Sequence, residues 1–280
     1  METGQKIIQQ NNNIDELSSK ILSIQLSLNG LSFCILDSDQ NSIIFYKAYN
    51  FEKKANPTEL LNRLSQTFND DIDKQAPFKS VKAVYENELS VLVPGPLFEE
   101  DQLADYLKFN SRILQTDYIT YDLIQSNDSV CVYIPYVNIN NYLYDKFGVF
   151  EYRHFSTVLI DVLMSTEKNL NTKKMYVHVS KDHFEIIVLY NNDLLLYNTF
   201  EFSTKEDFIY YILFTAEQLQ LNPEEFKLSL LGKIKEGDEL YGIVFKYVRH
   251  VNVLELSTKY DLDKELEDVI QDDFVLLNSL

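Results

Sequence analysis

Residues 22–37, LSIQLSLNGLSFCILD, and residues 174–190, KMYVHVSKDHFEIIVLY, carry one pattern twice. In both, apolar and polar residues alternate on either side of a short turn, as they do in an antiparallel hairpin. Setting Ile24 against Val177 brings Leu26 to Val179, Leu31 to Phe184, Phe33 to Ile186 and Ile35 to Val188. A two-residue slip in the next turn then aligns residues 43–46 with 194–197, and Phe51 with Phe202. A repeat of this kind predicts two copies of one structural unit.

Each copy reads as a three-strand meander with one strongly apolar face: Ile24, Leu26, Leu28, Leu31, Phe33 and Ile35 in the first, Val177, Val179, Phe184, Ile186 and Val188 in the second. In the first copy Asn29-Gly30 predicts a tight turn, because both residues tolerate positive φ. An apolar sheet face needs helices laid across it. After the first meander, NPTELLNRLSQTFND offers Asn56 as cap, Pro57 at the first helical position and Glu59 at the third, with Leu60, Leu61, Leu64 and Phe68 as the apolar stripe. After the second, Ser203 and Glu206 read as a capping box, Phe208, Tyr211, Ile212, Thr215 and Leu219 as the stripe, and Asn222-Pro223 as the stop. A fourth strand follows each helix, at 81–85 and 228–231. Further strands are predicted at LSVLVPGPLF, 130–136 and 251–256, and helices at 99–115, 138–147, 156–168 and 238–247. The segments divide as a polar tail (1–20), a first lobe with insertions (21–170), a second lobe (171–260) and an acidic tail (261–280), the last read as a helix or a loose end.

The chain has 280 residues and a formal net charge of −18. A surface this acidic repels nucleic-acid phosphate and anionic lipid, so neither is expected as a partner. Cys34 and Cys131, the only cysteines, sit in apolar runs and read as small buried side chains of a reducing compartment. The first twenty residues lack the apolar core of a signal peptide and no run reaches the ~18 apolar residues of a membrane span, which reads as a cytoplasmic protein.

A meander, a helix and a further strand, twice over, is the order of the ribonuclease-H-like lobe. On LSIQLSLNGLSFCI, LVPGPLF, EYRHFSTVLIDVL and LSLLGKI, the chain from about residue 20 to 260 resembles the actin, sugar-kinase and heat-shock-chaperone superfamily. Within it the chain looks most similar to the type-IV-pilus-assembly and division-protein branches, and to an uncharacterised bacterial family of unknown function assigned the actin-like fold. The fold class implied is α/β, two ribonuclease-H-like lobes of the actin-like ATPase fold, each a mixed sheet opening with a three-strand antiparallel meander flanked by helices. The resemblance also implies where nucleotide chemistry would lie. Working members carry an Asp-x-Gly-type turn in each first hairpin and a glycine pair near the adenine, since phosphate needs close backbone N–H groups and Mg²⁺ needs an acidic oxygen. Those positions fall on Gln25 and Ser27 in the first lobe and on His178 and Ser180 in the second, with Gly232 alone in the adenine region. These five residues are the candidates of the interlobe cleft. Neither pair supplies the acid or the glycine, so no cofactor, metal, catalytic residue or nucleotide turnover is expected.

Two other constellations carry chemistry. His178 and His183 lie on the arms of one hairpin near Glu185, as a two-His-one-carboxylate metal site would require. With His178 on the polar sheet face and His183 at the turn, the three need not converge, and ordinary hydrogen-bonded histidines are expected. YRHFST groups His154, Ser156 and Thr157 just before a helix, with Ser156 or Thr157 read as its cap and His154 as a neighbour in the cleft. A Ser-His nucleophile also needs an orienting acid and an oxyanion hole, and neither is legible. The sequence therefore reads as a non-catalytic actin-like protein that acts through an unidentified protein partner. The competing readings are a divergent ATPase or small-molecule kinase using the interlobe cleft, and a filament or oligomer subunit.

Overall fold

In a computed structural model of the chain, which describes residues 18–109, 113–114, 116–166, 171–254, 259–262 and 272–280, the first repeat opens with β1 (Lys20–Ser27), β2 (Gly30–Asp37) and β3 (Ser42–Asn50). Helix α1 (Pro57–Thr67) and β4 (Ser80–Glu86) follow. β4 returns parallel to β1, and β8 (Glu151–His154) adds parallel to β4, so the sheet order is β3-β2-β1-β4-β8. The second repeat builds the same sheet from β9 (Lys174–Val179), β10 (His183–Tyr190), β11 (Asp193–Glu201), β12 (Lys227–Gly232) and β13 (His250–Val253), in the order β11-β10-β9-β12-β13. The described residues divide into two compact units, residues 18–161, 259–262 and 275–280 in one and 162–254 and 272–274 in the other.

The duplication reaches single hydrogen bonds. Phe51 N donates to Asn29 O and Phe202 N to Asp182 O, which are matched positions in the two copies. The β2–β3 ladder slips between Ile35 and Leu36 and the β10–β11 ladder between Val188 and Leu189, again matched. Each slip is a bulge that bends the outer strand, and the extra residues, Ile44 and Leu195, face solvent.

The predicted apolar faces are the core. Ile24, Leu26, Phe33 and Ile35 are fully buried, as are Val177, Phe184, Ile186 and Val188. Across the second sheet lies α5 (Lys205–Gln218), whose Phe208 ring meets Phe184 edge-on with centroids 4.6 Å apart. Burial of each such side chain contributes about 1.5–3 kcal/mol. α1 starts as the sequence predicts: Asn56 accepts from Thr58 N and Glu59 N, and Glu59 returns a bond to Asn56 N. Asn56→Ala is therefore expected to cost about 1 kcal/mol and lower Tm by about 2–4 °C, measured by thermal melting.

Several predicted boundaries move. The α5 cap is Thr204 with Asp207, one residue beyond the predicted Ser203 and Glu206, because Thr204 is the extended residue and its hydroxyl accepts from Asp207 N at 3.1 Å. The turn of the first hairpin is Leu28-Asn29, with Ser27 opposite Gly30, and neither Asn29 nor Gly30 has positive φ. Gly30 answers a different need: a Cβ there would lie 2.5 Å from Tyr49 O on β3. The two-residue turn with positive φ at both positions is Asn191-Asn192, between β10 and β11.

Between β4 and β8 an insertion forms a third, antiparallel sheet of β5 (Ser90–Pro94), β6 (Thr120–Ile124) and β7 (Ser129–Tyr133), in the order β5-β7-β6. The helix predicted at 99–115 is a single 3₁₀ turn followed by the short α2 (Leu103–Leu107), and residues 110–112 and 115 lie outside the described residues. Leu107, Val130 and Val132 are the centre of a small core there. Helices α3 (Val137–Phe147) and α4 (Phe155–Thr166) flank β8, and α6 (Glu239–Tyr247) precedes β13. The end of the chain is no loose end: α7 (Phe274–Asn278) buries Phe274, Val275, Leu276 and Leu277, and Ser279 bonds Ser23 on β1. Residues 255–258 and 263–271, which include part of the predicted last strand and of the acidic tail, are outside the described residues.

Candidate functional site

The first strand of each repeat ends in the polar residues that the resemblance singles out. In the first, Gln25 stands opposite Ser32 and its Nε2 donates to Glu86 Oε2 at 2.8 Å, while Gln25 Oε1 is buried with no hydrogen-bond partner among the described residues. Ser27 Oγ accepts from Asn29 N, and the carbonyls of the turn, Leu28 and Asn29, accept from Ala55 N and Phe51 N. The backbone of that turn is thus bonded to its own lobe.

In the second repeat His178 takes the place of Gln25 and Glu185 that of Ser32. Contrary to the sequence expectation, both histidines converge on Glu185. His178 Nδ1 lies 3.0 Å from one carboxylate oxygen and His183 Nε2 3.4 Å from the other, and His183 Nδ1 reaches Asp182 at 2.8 Å. The ladder explains it: His178 and Glu185 are directly opposed, and His183, two residues before Glu185, shares its face. Among the described residues no group of three or more His, Cys, Asp or Glu side chains is placed to hold a metal ion. Ser180 N donates to His183 O at the hairpin turn. Gly232 ends β12 with φ +84°, and a Cβ on it would meet Val179 O at 2.5 Å and His178 Nε2 at 3.0 Å.

His154, Ser156 and Thr157 come together at the β8–α4 junction with three residues of the inserted sheet. The helix begins at Phe155, so Ser156 and Thr157 lie inside its first turn and do not cap it. Asp122 and the His154 ring hold its first N–H groups instead. Asp122 Oδ2 on β6 accepts from His154 N at 2.7 Å and Thr157 Oγ1 at 3.0 Å, and Asp122 Oδ1 from the Tyr133 hydroxyl at 3.1 Å. The His154 ring accepts from Ser156 N at 3.2 Å through Nδ1. Its Nε2 faces the carbonyl of Asn87 at 3.1 Å, which can only accept, so Nε2 carries the proton. Ser156 Oγ, 2.7 Å from Nδ1, then donates to it and accepts from the Cys131 thiol at 3.2 Å.

Burial sets the charges of this network. It pushes His154 down to about 4, Asp122 up to about 7 and the Cys131 thiol up to about 12. A neutral His154 accepting from Ser156 is the pairing a nucleophilic serine needs, but the acid bonds the histidine backbone and leaves the ring alone. Ser156 and Thr157 are 0 % exposed and His154 2 %, so all three are closed off from solvent in the fold. The arrangement ties β6 to the start of α4, and His154 lines no open surface. Asp122 was not legible as a site residue because Thr120, Asp122 and Ile124 are the buried positions of β6, two of them polar, so hydrophobicity marks the other face.

One open groove of about 400 Å³ lies beside this junction. Val137, Asn140, Asn141 and Tyr144 form its wall on α3, the one helix face that spacings of three and four residues produce. Tyr118, Phe150 and Tyr152 form the opposite side. Asn140 Oδ1 accepts from the buried Tyr85 hydroxyl, and burial raises the Tyr152 phenol above its ordinary range. Sequence periodicity missed the groove, because its residues come from three separate segments.

A family described as Protein of unknown function (DUF3822) matches residues 9–251. The chain belongs to this family. The DUF3822 chain is similar to a solved protein of Bacteroides thetaiotaomicron VPI-5482 described as having an actin-like ATPase fold and unknown function, at 25% identity and TM-score 0.73, over 88% of this chain and 94% of that one. It is also similar to the PilM-PilN type IV pilus biogenesis complex, at 10% identity and TM-score 0.60, over 93% and 97% of the two chains, a likeness of fold alone. No curated protein matches. The fold is therefore that of the actin-like ATPases, as the sequence resemblance implies. No helix among the described residues is long and apolar enough to cross a membrane.

Proposed function

We propose that this chain is a non-catalytic, cytoplasmic member of the actin-like fold that works by holding a protein partner. The observation that carries this reading is the way both hairpin turns are used up. Asn29 N is held by Ser27 Oγ, Ser180 N by His183 O, and His178 and His183 are committed to Glu185. A phosphate site needs free, converging N–H groups, and a fixed dipole already bonded elsewhere stabilises no transferring phosphoryl group. The groove offers instead the aromatic surface of the exposed Tyr118 and the half-buried Tyr144.

A nucleotide-binding reading has one observation in its favour, the buried Gln25 Oε1 without a partner beside Glu86. Thermal melting separates the two. A ligand at about 100 times its Kd stabilises a fold by about 2.7 kcal/mol, roughly 5–10 °C for a protein of this size. Millimolar Mg-ATP or Mg-ADP is expected to move Tm by less than about 1 °C. A shift of several degrees that Gln25→Ala abolishes would overturn the non-catalytic partner-binding reading.

A further inference from the structure

Building on the partner-binding reading, we infer that the groove between α3 and the Tyr118–Tyr152 side takes a short, uncharged, proline-rich segment of a partner protein in the extended polyproline conformation. Charge is the first reason. Among the described residues its walls hold four aromatic rings, a valine and two asparagines and no ionised side chain, although the chain carries a net −18. A charged ligand group entering it would lose hydration and meet no counter-charge. Length is the second. From Val137 to Tyr144 the helix wall runs roughly 10 Å at 1.5 Å per residue, which is about one turn of a polyproline helix at 3.1 Å per residue. Hydrogen bonding is the third. Because Asn140 Oδ1 already takes the Tyr85 hydroxyl, Asn140 has its amide N–H groups left to offer. Proline contributes carbonyls and no N–H, so an aromatic wall that offers an amide donor suits it. The polyproline helix is also stiff before it binds, which lowers the ordering cost.

The test titrates the full chain by calorimetry with three probes: a capped ten-proline peptide, a capped neutral Gly-Ser peptide of equal length, and maltopentaose. The ten-proline peptide is expected to bind and the other two to give no measurable heat. Tyr144→Ala should weaken binding by about tenfold or more, as loss of an aromatic anchor does. Asn141→Asp, which places a charge on an exposed wall residue, should weaken it several-fold with an unchanged Tm, so a folding defect in the first variant leaves the second to decide. Equal binding of both peptides, binding of maltopentaose alone, or no binding at all would overturn the groove assignment. The partner-binding reading fails separately, through stabilisation by Mg-ATP, so the two failures are distinguishable.

Discussion

Asp122→Ala is expected to cost about 3–5 kcal/mol of folding stability, among the largest effects of any single substitution in the chain. Removing the carboxylate strands three buried donors at once: His154 N, the Thr157 hydroxyl and the Tyr133 hydroxyl. Each unsatisfied group costs about 1–3 kcal/mol, partly relieved by rearrangement. Asp122→Asn keeps an acceptor oxygen and should cost less.

The pH dependence carries the sharper signature. Asp122 titrates at about 7 in the fold, raised first by burial against bonds from His154, the Arg153 charge, Thr157 and Tyr133 that lower it. An unfolded Asp titrates at about 3.9, so between these values the fold holds a proton that the unfolded chain has released. Stability from this group therefore falls as pH rises from about 4 to 7, by at most about 1.4 kcal/mol per unit. His154 runs the other way. Burial holds it at about 4, with the Asn87 carbonyl and Glu86 opposing, against about 6.5 unfolded. Its contribution rises with pH from about 4 to 6.5. In the wild type the two slopes offset one another. Asp122→Asn should expose the rising slope of His154, and His154→Gln the falling slope of Asp122. Urea denaturation at pH 5.0 and 6.5 measures both, and equal slopes in the wild type and both variants would show that neither group is shifted in the fold.

What the sequence could disclose follows from which interactions leave a periodic trace. Alternation along β1, β2, β9 and β10 gave strand, face and pairing together, because one face of each sheet is uniformly apolar while the other, although also buried, carries Ser23, Gln25, His178 and Glu185. The Asn56 cap was legible because cap, proline and glutamate are neighbours in the chain. The Asp122 network was not, since its six side chains come from β6, β7 and the β8–α4 junction and its buried residues are polar. The convergence of His178, His183 and Glu185 was within reach: antiparallel pairing puts residues of matched parity on one face, and register decides the rest. The first hairpin shows the opposite case. Asn29-Gly30 has the composition of a turn with positive φ, yet the register shifts it by one residue, and the glycine is kept for the approach of Tyr49.

Gly232→Ala is expected to destabilise the chain by at least about 3 kcal/mol, through two additive causes. At φ +84° an alanine pays about 1–2 kcal/mol for the left-handed backbone. Its Cβ would also lie 2.5 Å from Val179 O, which cannot retreat freely because it accepts from Lys233 N at 2.8 Å. The imidazole of His178, 3.0 Å away, is pinned by Glu185. Two other glycines separate the causes. Gly237 has φ +94° and nothing within 4 Å of a Cβ, so Gly237→Ala pays the backbone cost alone. Gly30→Ala meets Tyr49 O at 2.5 Å without a positive φ, so it pays the contact alone. Chemical denaturation of the three variants should rank Gly232→Ala the most damaging, and a cost equal to that of Gly237→Ala would show that β12 has slack at its end. A larger cost bears directly on function. The lone glycine of LSLLGKI would then be accounted for by the backbone of β9 and the ring of His178 lying against it, with no adenine needed to explain why a side chain is missing there.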